Sequence, residues 1–308
     1  MLSLREIVPN AGVPKDDFVF VPLHAPNIVR VEGGTGDAQI KASGKVKVEK
    51  LTKANHGAAV EKMMKLHSAG ETDAAADRRK AFKAGVLHAV SQNPGRVFAL
   101  HGVTSGFGSL TLTAGKESRE AGVGVSQPKS FALAFRFLRH TDGTSTAPDT
   151  AHDPKEVDRW IAELNWIFGP QANVHFTLQD TDWVTVGRKP DQPIKEPFFL
   201  ETVASAPSTN ADLTIYLVGD WRGSSNDADG TYYRDRKIVV LTDAPNHPEI
   251  PKEVDIFLLV LAHEILHHLR ALRGATGHHD RKNVLLSSGI QTLRIDKQLI
   301  IDVNIPGG

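Results

Sequence analysis

Two histidines four residues apart flank a glutamate in the segment His263-Glu264-Ile265-Leu266-His267. On a helix, residues four apart lie on the same face, so both imidazoles can reach one metal ion. Glu264 lies one step round the helix, close enough to take a proton from a water held by that metal. Two nitrogen ligands, an open position and a carboxylate base are the parts of a zinc hydrolase site. The spacing therefore predicts one catalytic Zn²⁺ bound by His263 and His267, with Glu264 as the catalytic base.

The residues around this motif predict that it lies on a long helix. An apolar run covers residues 256 to 262, and Pro251 together with nearby acidic residues favours a helix start. Gly274, preceded by Arg270 and Arg273, favours a C-terminal end. We expect a helix of about six turns, buried at its middle. Burying a carboxyl group beside two imidazoles costs free energy unless a cation pairs with them, which favours a metal site over an accidental motif.

A bound zinc ion needs at least three protein ligands, so the motif requires a further donor. The next candidates lie in Gly277-His278-His279-Asp280. Gly274 and Gly277 can turn the chain back toward the helix. Either His278 or His279 can then supply the third ligand, and the other would be a solvated residue or would support the ligands.

The stretch resembles the metzincin branch of the zincin metallopeptidases, whose pattern is H-E-x-x-H-x-x-G-x-x-H followed by a turn that carries Asn-Leu-Met. The matching residues are the HExxH segment, 274 to 277, His278-His279-Asp280 and 283 to 289. The resemblance implies peptide-bond hydrolysis at a zinc ion with Glu264 as general base. Because a glycine directly before the third histidine is common in this family, it favours His278 over His279.

The chain departs from the family pattern in two ways. The spacer before the third histidine is longer, so the active-site helix is expected to run further than in typical members. The turn also lacks methionine, because all three methionines lie far upstream. Leu285 or Leu286 would fill the methionine position, where an apolar side chain forms a floor beneath the metal and leucine is a tolerable replacement.

By the same resemblance, the strand predicted over residues 237 to 242 would form a sheet edge beside the site. Val239, Val240 and Leu241 would then hold an extended substrate through main-chain hydrogen bonds. The polar loop from 220 to 236 would form the rim of the cleft. Calcium binding there, through Asn226, Asp227 and Asp229, is weighed against a plain polar loop, and the incomplete ligand set favours the loop.

Composition limits the classes of function. The chain has 308 residues, formal net charge zero and no cysteine. Zero net charge implies no general attraction to nucleic acid or membrane, and the lack of cysteine excludes disulfides and cysteine-ligated zinc. We expect no membrane span and no classical signal peptide, because neither a long apolar stretch nor an apolar N-terminal core is visible. The expected location is cytoplasmic, or outside the cell by a signal-independent route.

Periodicity predicts the organisation of the chain. Strand-like alternation over residues 18 to 51 gives way to helical spacing over about 55 to 92, after which strands resume. We therefore expect residues 1 to 127 to form a β-sandwich-like domain with a helical insertion and a binding or delivery role. Residues 128 to 308 would form a zincin-like catalytic domain with a mixed sheet, the active-site helix and a C-terminal helix. The expected fold class is α+β.

The predicted function is that of a zinc-dependent endopeptidase acting on a protein or peptide substrate. Three alternatives stay open. The chain could be a metal-containing binding protein without catalysis, or a zinc hydrolase acting on cell-wall peptide. It could also be a secreted or injected toxin-like effector, with a secretion machine or an inhibitor as its partner. All of these hypotheses place hydrolysis at the HExxH segment, except that of a metal-containing binding protein.

Overall fold

The structure is a computed structural model. It describes residues 1–7, 18–67, 73–140, 149–186, 194–195, 197, 199–204, 210–219, 221–222, 229–243, 255–272 and 274. The described residues fall into two compact units. One comprises Met1–Lys129 and Leu164–His175, and the other comprises Ser130–Glu163 and the described part of Phe176–Thr292. The predicted roles of the N-terminal and catalytic domains stay predictions.

The first unit contains two four-stranded sheets that share one apolar core. The order in one sheet is β1-β3-β6-β5 and in the other β2-β8-β7-β4. Alternate residues of both sheets are buried in a single cluster, as period-two patterning requires. The strands are β1 (Ser3–Glu6), β2 (Phe18–Pro22), β3 (Pro26–Glu32), β4 (Ala38–Ala42), β5 (Val46–Lys50), β6 (Val97–Gly102), β7 (Gly106–Ala114) and β8 (Glu117–Ser126).

Two helices pack against the first of these sheets, α1 (His56–His67) and α2 (Asp73–Gln92). Their apolar faces form a second core with Ile28 of β3 and Ala99 of β6. In α1 the buried residues include Val60, Met63 and Met64, which recur at the helical spacing predicted from the sequence. The helical insertion expected over about 55 to 92 therefore consists of two helices.

The second unit is built on a five-stranded sheet with the order β10-β9-β12-β15-β14. Strands β9, β12 and β15 are parallel, and β14 runs antiparallel to β15. The strands are β9 (Lys129–His140), β10 (Val174–Val186), β12 (Leu213–Val218), β14 (Gly230–Tyr233) and β15 (Ile238–Thr242). Two short strands, β11 (Ile194–Lys195) and β13 (Trp221–Arg222), form a separate parallel pair.

Each face of this sheet is covered by a different element. On one face, Tyr216 and Val240 pack with the π-helical turn Phe199–Val203. On the other, Trp160 of α3 (Val157–Ala172) packs on Phe135 with ring centroids 5.7 Å apart. Trp160 also packs on Phe257 of α4 (Ile256–Ala271), at 4.9 Å. Helix α4, which carries the HExxH segment, is thus fixed to the sheet through its first turn.

The predicted fold class, an α+β protein with a zincin-like catalytic domain, is wrong. Strands outweigh helices among the described residues and form three sheets of four or five strands, an arrangement that the α+β class describes only loosely. The described residues show no zincin feature beyond the HExxH segment, and the residues predicted to supply a third ligand and a floor turn lie outside them. The HExxH segment determines only a few turns of helix, because its spacing is a local property and strand pairing is not.

Candidate metal centre

Helix α4 begins at a capped residue and places the motif in its second half. Asp255 has extended backbone angles, and its Oδ1 atom accepts a hydrogen bond from the Leu258 amide at 3.0 Å. Its Oδ2 atom lies 3.1 Å from Arg159 Nη1. The helix therefore starts later than the Pro251 predicted from the sequence, and its 16 residues make about four and a half turns rather than six. Gly274, with φ of 80°, follows its end as predicted.

The two motif histidines point their ring nitrogens at each other. The Nε2 atoms of His263 and His267 lie 3.1 Å apart, and the rings meet edge to face with centroids 4.8 Å apart. Two nitrogen ligands on a tetrahedral zinc ion, each at about 2.05 Å, would be separated by about 3.3 Å. The observed separation therefore fits a pair that can share one metal ion. Only 3% of His263 is exposed, so the pair lies at the end of a buried helix face.

Glu264 completes the cluster. Its carboxylate and the two imidazoles each offer a ligand atom, and these atoms all lie within 4.8 Å of one another. In the part of the chain that the structure describes, no other group of three or more such side chains comes together in this way. The residues predicted to hold and use the metal are thus brought to one place.

The Glu264 carboxyl group is buried, with 7% of the residue exposed. Burial raises the pKa of Glu264 to about 8, and a hydrogen bond donated by the main-chain N–H of Tyr232 acts in the opposite direction. A cation beside the carboxyl group would favour its charged form in the same way that any nearby positive charge does. The donor set of two imidazoles and a buried carboxyl group therefore suits a divalent metal.

His268, the residue after the second motif histidine, is buried beside strand β14. His268 is 2% exposed, and its Nδ1 atom lies 3.1 Å from the Tyr232 hydroxyl oxygen. Burial lowers the pKa of His268 to about 4, so the ring is neutral. Its Nε2 atom is buried and has no hydrogen-bond partner among the described residues. His268 therefore faces strand β14 rather than the pair formed by His263 and His267.

Strand β14 approaches helix α4 closely at Gly230. A Cβ atom added there would lie 2.9 Å from Glu264 Cγ, 2.9 Å from Leu241 Cδ2 and 3.1 Å from Val260 Cγ1. Distances under 3.0 Å are too short for carbon atoms in contact. A larger residue here would force the side chains of Glu264 and Leu241 or the strand itself to shift, so glycine favours this close approach.

The predicted substrate strand is not at the sheet edge. Strand β15 pairs with β12 on one side and with β14 on the other. Val239, Val240 and Leu241 are at most 1% exposed, and both main-chain sides of their strand are occupied. The prediction that they hold a substrate through main-chain hydrogen bonds is therefore wrong. The edge of the sheet beside α4 is strand β14, whose four residues pair antiparallel with β15.

Several predicted residues lie outside the described part of the chain. These are the third-ligand candidates, the acid that follows them, the leucines of the expected floor turn and two of the three residues considered for calcium: His278, His279, Asp280, Leu285, Leu286, Asn226 and Asp227. Asp229, the third of those residues, is described, and its carbonyl accepts a hydrogen bond from the Thr242 amide at 3.0 Å. Their predicted roles stay predictions.

Sequence reasoning missed Gly230, Tyr232 and His268. The sequence predicts a polar loop from 220 to 236, which includes residues 230 to 233, because four residues are too few for a clear alternation. A signal for His268 was present, since it lies four residues after Glu264 and so on the same helix face. The close packing at Gly230 has no such signal, because it depends on a partner that is distant in sequence.

Comparisons with known proteins add little to this site. No family model and no curated protein matches the chain. Among solved structures, the chain is similar to one described as the crystal structure of the S-layer protein SbsC domains 4 and 5. The sequence identity is 10% and the TM-score 0.20, and the match covers 41% of this chain. This chain spans 44% of the length of that structure.

The search for membrane-spanning helices was also negative. Within the described residues, no helix combines the length and the apolar character needed to cross a bilayer.

Proposed function

We propose that the protein is a zinc-dependent hydrolase that cleaves peptide bonds. The observation that carries this proposal is the 3.1 Å separation of the His263 and His267 Nε2 atoms, with Glu264 beside them on a buried helix. Imidazole nitrogen is the ligand type that zinc takes most readily in a site without cysteine.

In this proposal His263 and His267 hold the metal and a third histidine completes the set. His278 is the preferred third ligand and His279 the alternative, both on the stretch that follows Gly274. When bound, zinc supplies Lewis-acid chemistry, polarising the scissile carbonyl and acidifying water. The protein supplies three nitrogen donors and leaves a position open to solvent and substrate.

Glu264 is the proton carrier of the proposed reaction. Its carboxylate accepts a proton from the attacking water and delivers it to the leaving amine nitrogen as the C–N bond breaks. Burial raises the pKa of this group to about 8 in the metal-free protein, which favours its protonated form at neutral pH. A cation held by the histidines would lower this pKa and favour the carboxylate that a base needs.

The substrate is proposed to be a protein or peptide. Its biological setting, whether a cellular target, cell-wall peptide or the target of an injected effector, rests on the motif resemblance alone. A metal-containing binding protein without catalysis is the other class to separate. The two classes differ in whether the metal-loaded protein breaks a bond.

The purified protein should first be assayed for zinc content and for hydrolysis of a mixed peptide library and of purified cell wall. Glu264→Gln keeps the ligands and removes the base, so zinc content should be unchanged while hydrolysis falls by about a hundredfold or more. Zinc at full occupancy with no hydrolysis by the wild type would favour the binding protein. Wild-type turnover in Glu264→Gln would remove the base role from Glu264, and a metal-free wild type that ignores chelators would overturn the site.

A further inference from the structure

Helix α4 presents two neighbouring pairs of polar side chains, each spaced by one turn. His263 and His267 form the pair with converging nitrogens. Glu264 and His268 form the second pair, one residue further round the helix. The second pair is buried, with 7% and 2% of each residue exposed. The orientation of the Glu264 and His268 side chains therefore depends on the protein atoms that they contact rather than on solvent.

One residue of strand β14 contacts both members of this second pair. The main-chain N–H of Tyr232 donates to the Glu264 carboxylate. The Tyr232 hydroxyl lies 3.1 Å from His268 Nδ1, and the two rings meet edge to face with centroids 5.5 Å apart. Strand β14 is thus joined to the helix through a main-chain donor at one point and a side chain one turn away.

We propose that Tyr232 is a positioning residue for Glu264. The inference rests on the proposed function and adds to it the element that fixes the base. The hydroxyl bond to His268 fixes the strand along the helix axis, and this holds the amide of the same residue on the carboxylate. Gly230, two residues earlier on the strand, allows the close approach that this arrangement needs.

The physical reason for such a device is the reach of the carboxylate. A glutamate side chain has three rotatable bonds. A displacement of about 1 Å from its productive position lowers the rate of the reaction on the order of a hundredfold. A hydrogen bond from a main-chain amide in a regular strand removes part of this freedom, because the amide itself is fixed by the pairing of β14 with β15. Loosening Tyr232 should therefore reduce turnover without reducing zinc binding or substrate affinity.

The test compares Tyr232→Phe with Tyr233→Phe in the zinc-loaded protein. Tyr232→Phe removes the bond to His268 and keeps the ring. Tyr233→Phe makes the same chemical change at the next residue, whose ring packs against the apolar cluster on the opposite face. We expect Tyr232→Phe to lower kcat about tenfold with KM and zinc content unchanged. Tyr233→Phe should match the wild type, and melting temperatures would show that both variants are folded.

Amide hydrogen exchange gives a readout that does not depend on activity. The Tyr232 amide should exchange slowly in the wild type and faster in both Tyr232→Phe and Glu264→Ala. Unchanged kcat in Tyr232→Phe, with a protected amide, would overturn this inference and leave the proposed function standing. A wild type that binds zinc and hydrolyses no peptide would overturn the proposed function, and the positioning role of Tyr232 with it.

Discussion

The Nε2 atoms of His263 and His267 lie 3.1 Å apart on consecutive turns of one buried helix. Nothing else in the described residues brings two imidazoles so close with a carboxyl group beside them. The separation is slightly shorter than the distance of about 3.3 Å that two zinc-bound nitrogens would keep. A metal would therefore enter with little movement of the helix.

Replacing either histidine should remove the metal. In His263→Ala and His267→Ala, the zinc content measured by elemental analysis should fall from about one ion per chain to near zero at micromolar free zinc, because two remaining ligands bind it weakly. His101→Ala is the matched control, since His101 pairs with Glu49 in the first unit, at 3.0 Å. Full zinc occupancy in either motif variant would contradict the site.

The buried Glu264 carboxyl group should make the metal-free protein less stable as pH rises. Its pKa is raised from 4.5 to about 8 by burial, so the folded state keeps a proton that the unfolded state releases. The folded state is then favoured below about pH 4.5, and this contribution is lost progressively up to about pH 8, on the order of a few kcal/mol. Urea unfolding in the presence of a chelator, between pH 6.5 and pH 8.5, measures this slope, because the lowered pKa of His268 gives an opposing slope only below the unfolded value of 6.5.

Glu264→Gln removes the titrating group and should flatten that pH dependence. The exposed Glu120, which accepts a hydrogen bond from Thr111 Oγ1, provides the control in Glu120→Gln. That variant should keep the wild-type slope. An equally steep slope in Glu264→Gln would show that other groups dominate the pH response. Added zinc should raise the stability of the wild type most above neutral pH, where its ligands are deprotonated.

The sequence predicts the cluster of His263, Glu264 and His267 better than the sheet that lies beside it. Helical periodicity alone brings His263, Glu264 and His267 together, since residues one and four apart share or adjoin a face. The order of strands depends on pairing between segments far apart in sequence, so the edge position assigned to residues 237 to 242 was wrong. The chain instead places four residues, 230 to 233, at that edge.

The start of helix α4 shows a second limit. The sequence predicts a start at Pro251 with acidic residues in the first turn, whereas the side chain that caps the amide of Leu258 is Asp255. Which residue caps a helix depends on whether the residues after it can bury their apolar side chains. Here Phe257 packs on Trp160, a contact between residues nearly a hundred positions apart.

Gly230→Ala should destabilise the protein. The added methyl group would lie 2.9 Å from Glu264 Cγ and from Leu241 Cδ2, so these side chains or strand β14 must shift, at a cost of about 1–3 kcal/mol. Gly85→Ala is the control, because a Cβ there lies in open space within helix α2. That change should be neutral or stabilise by about 0.5–1 kcal/mol. Equal free energies of unfolding for the two variants would show that the close approach at Gly230 is not needed.

The cap at Asp255 should contribute more to stability than the ion pair it makes with Arg159. Its Oδ1 atom satisfies the Leu258 amide at 3.0 Å, and its Oδ2 atom lies 3.1 Å from a half-exposed guanidinium group. Asp255→Ala loses both contacts and should destabilise the fold by about 1–2 kcal/mol. Asp255→Asn keeps an oxygen for the amide and loses only the charge, so it should cost less than about 1 kcal/mol. Urea unfolding separates the two terms, and a loss in Asp255→Asn as large as that in Asp255→Ala would assign the effect to the ion pair. Helix α4 also carries the two histidines, so fraying of its first turn in Asp255→Ala should weaken zinc binding. This loss should be smaller than the loss in His263→Ala.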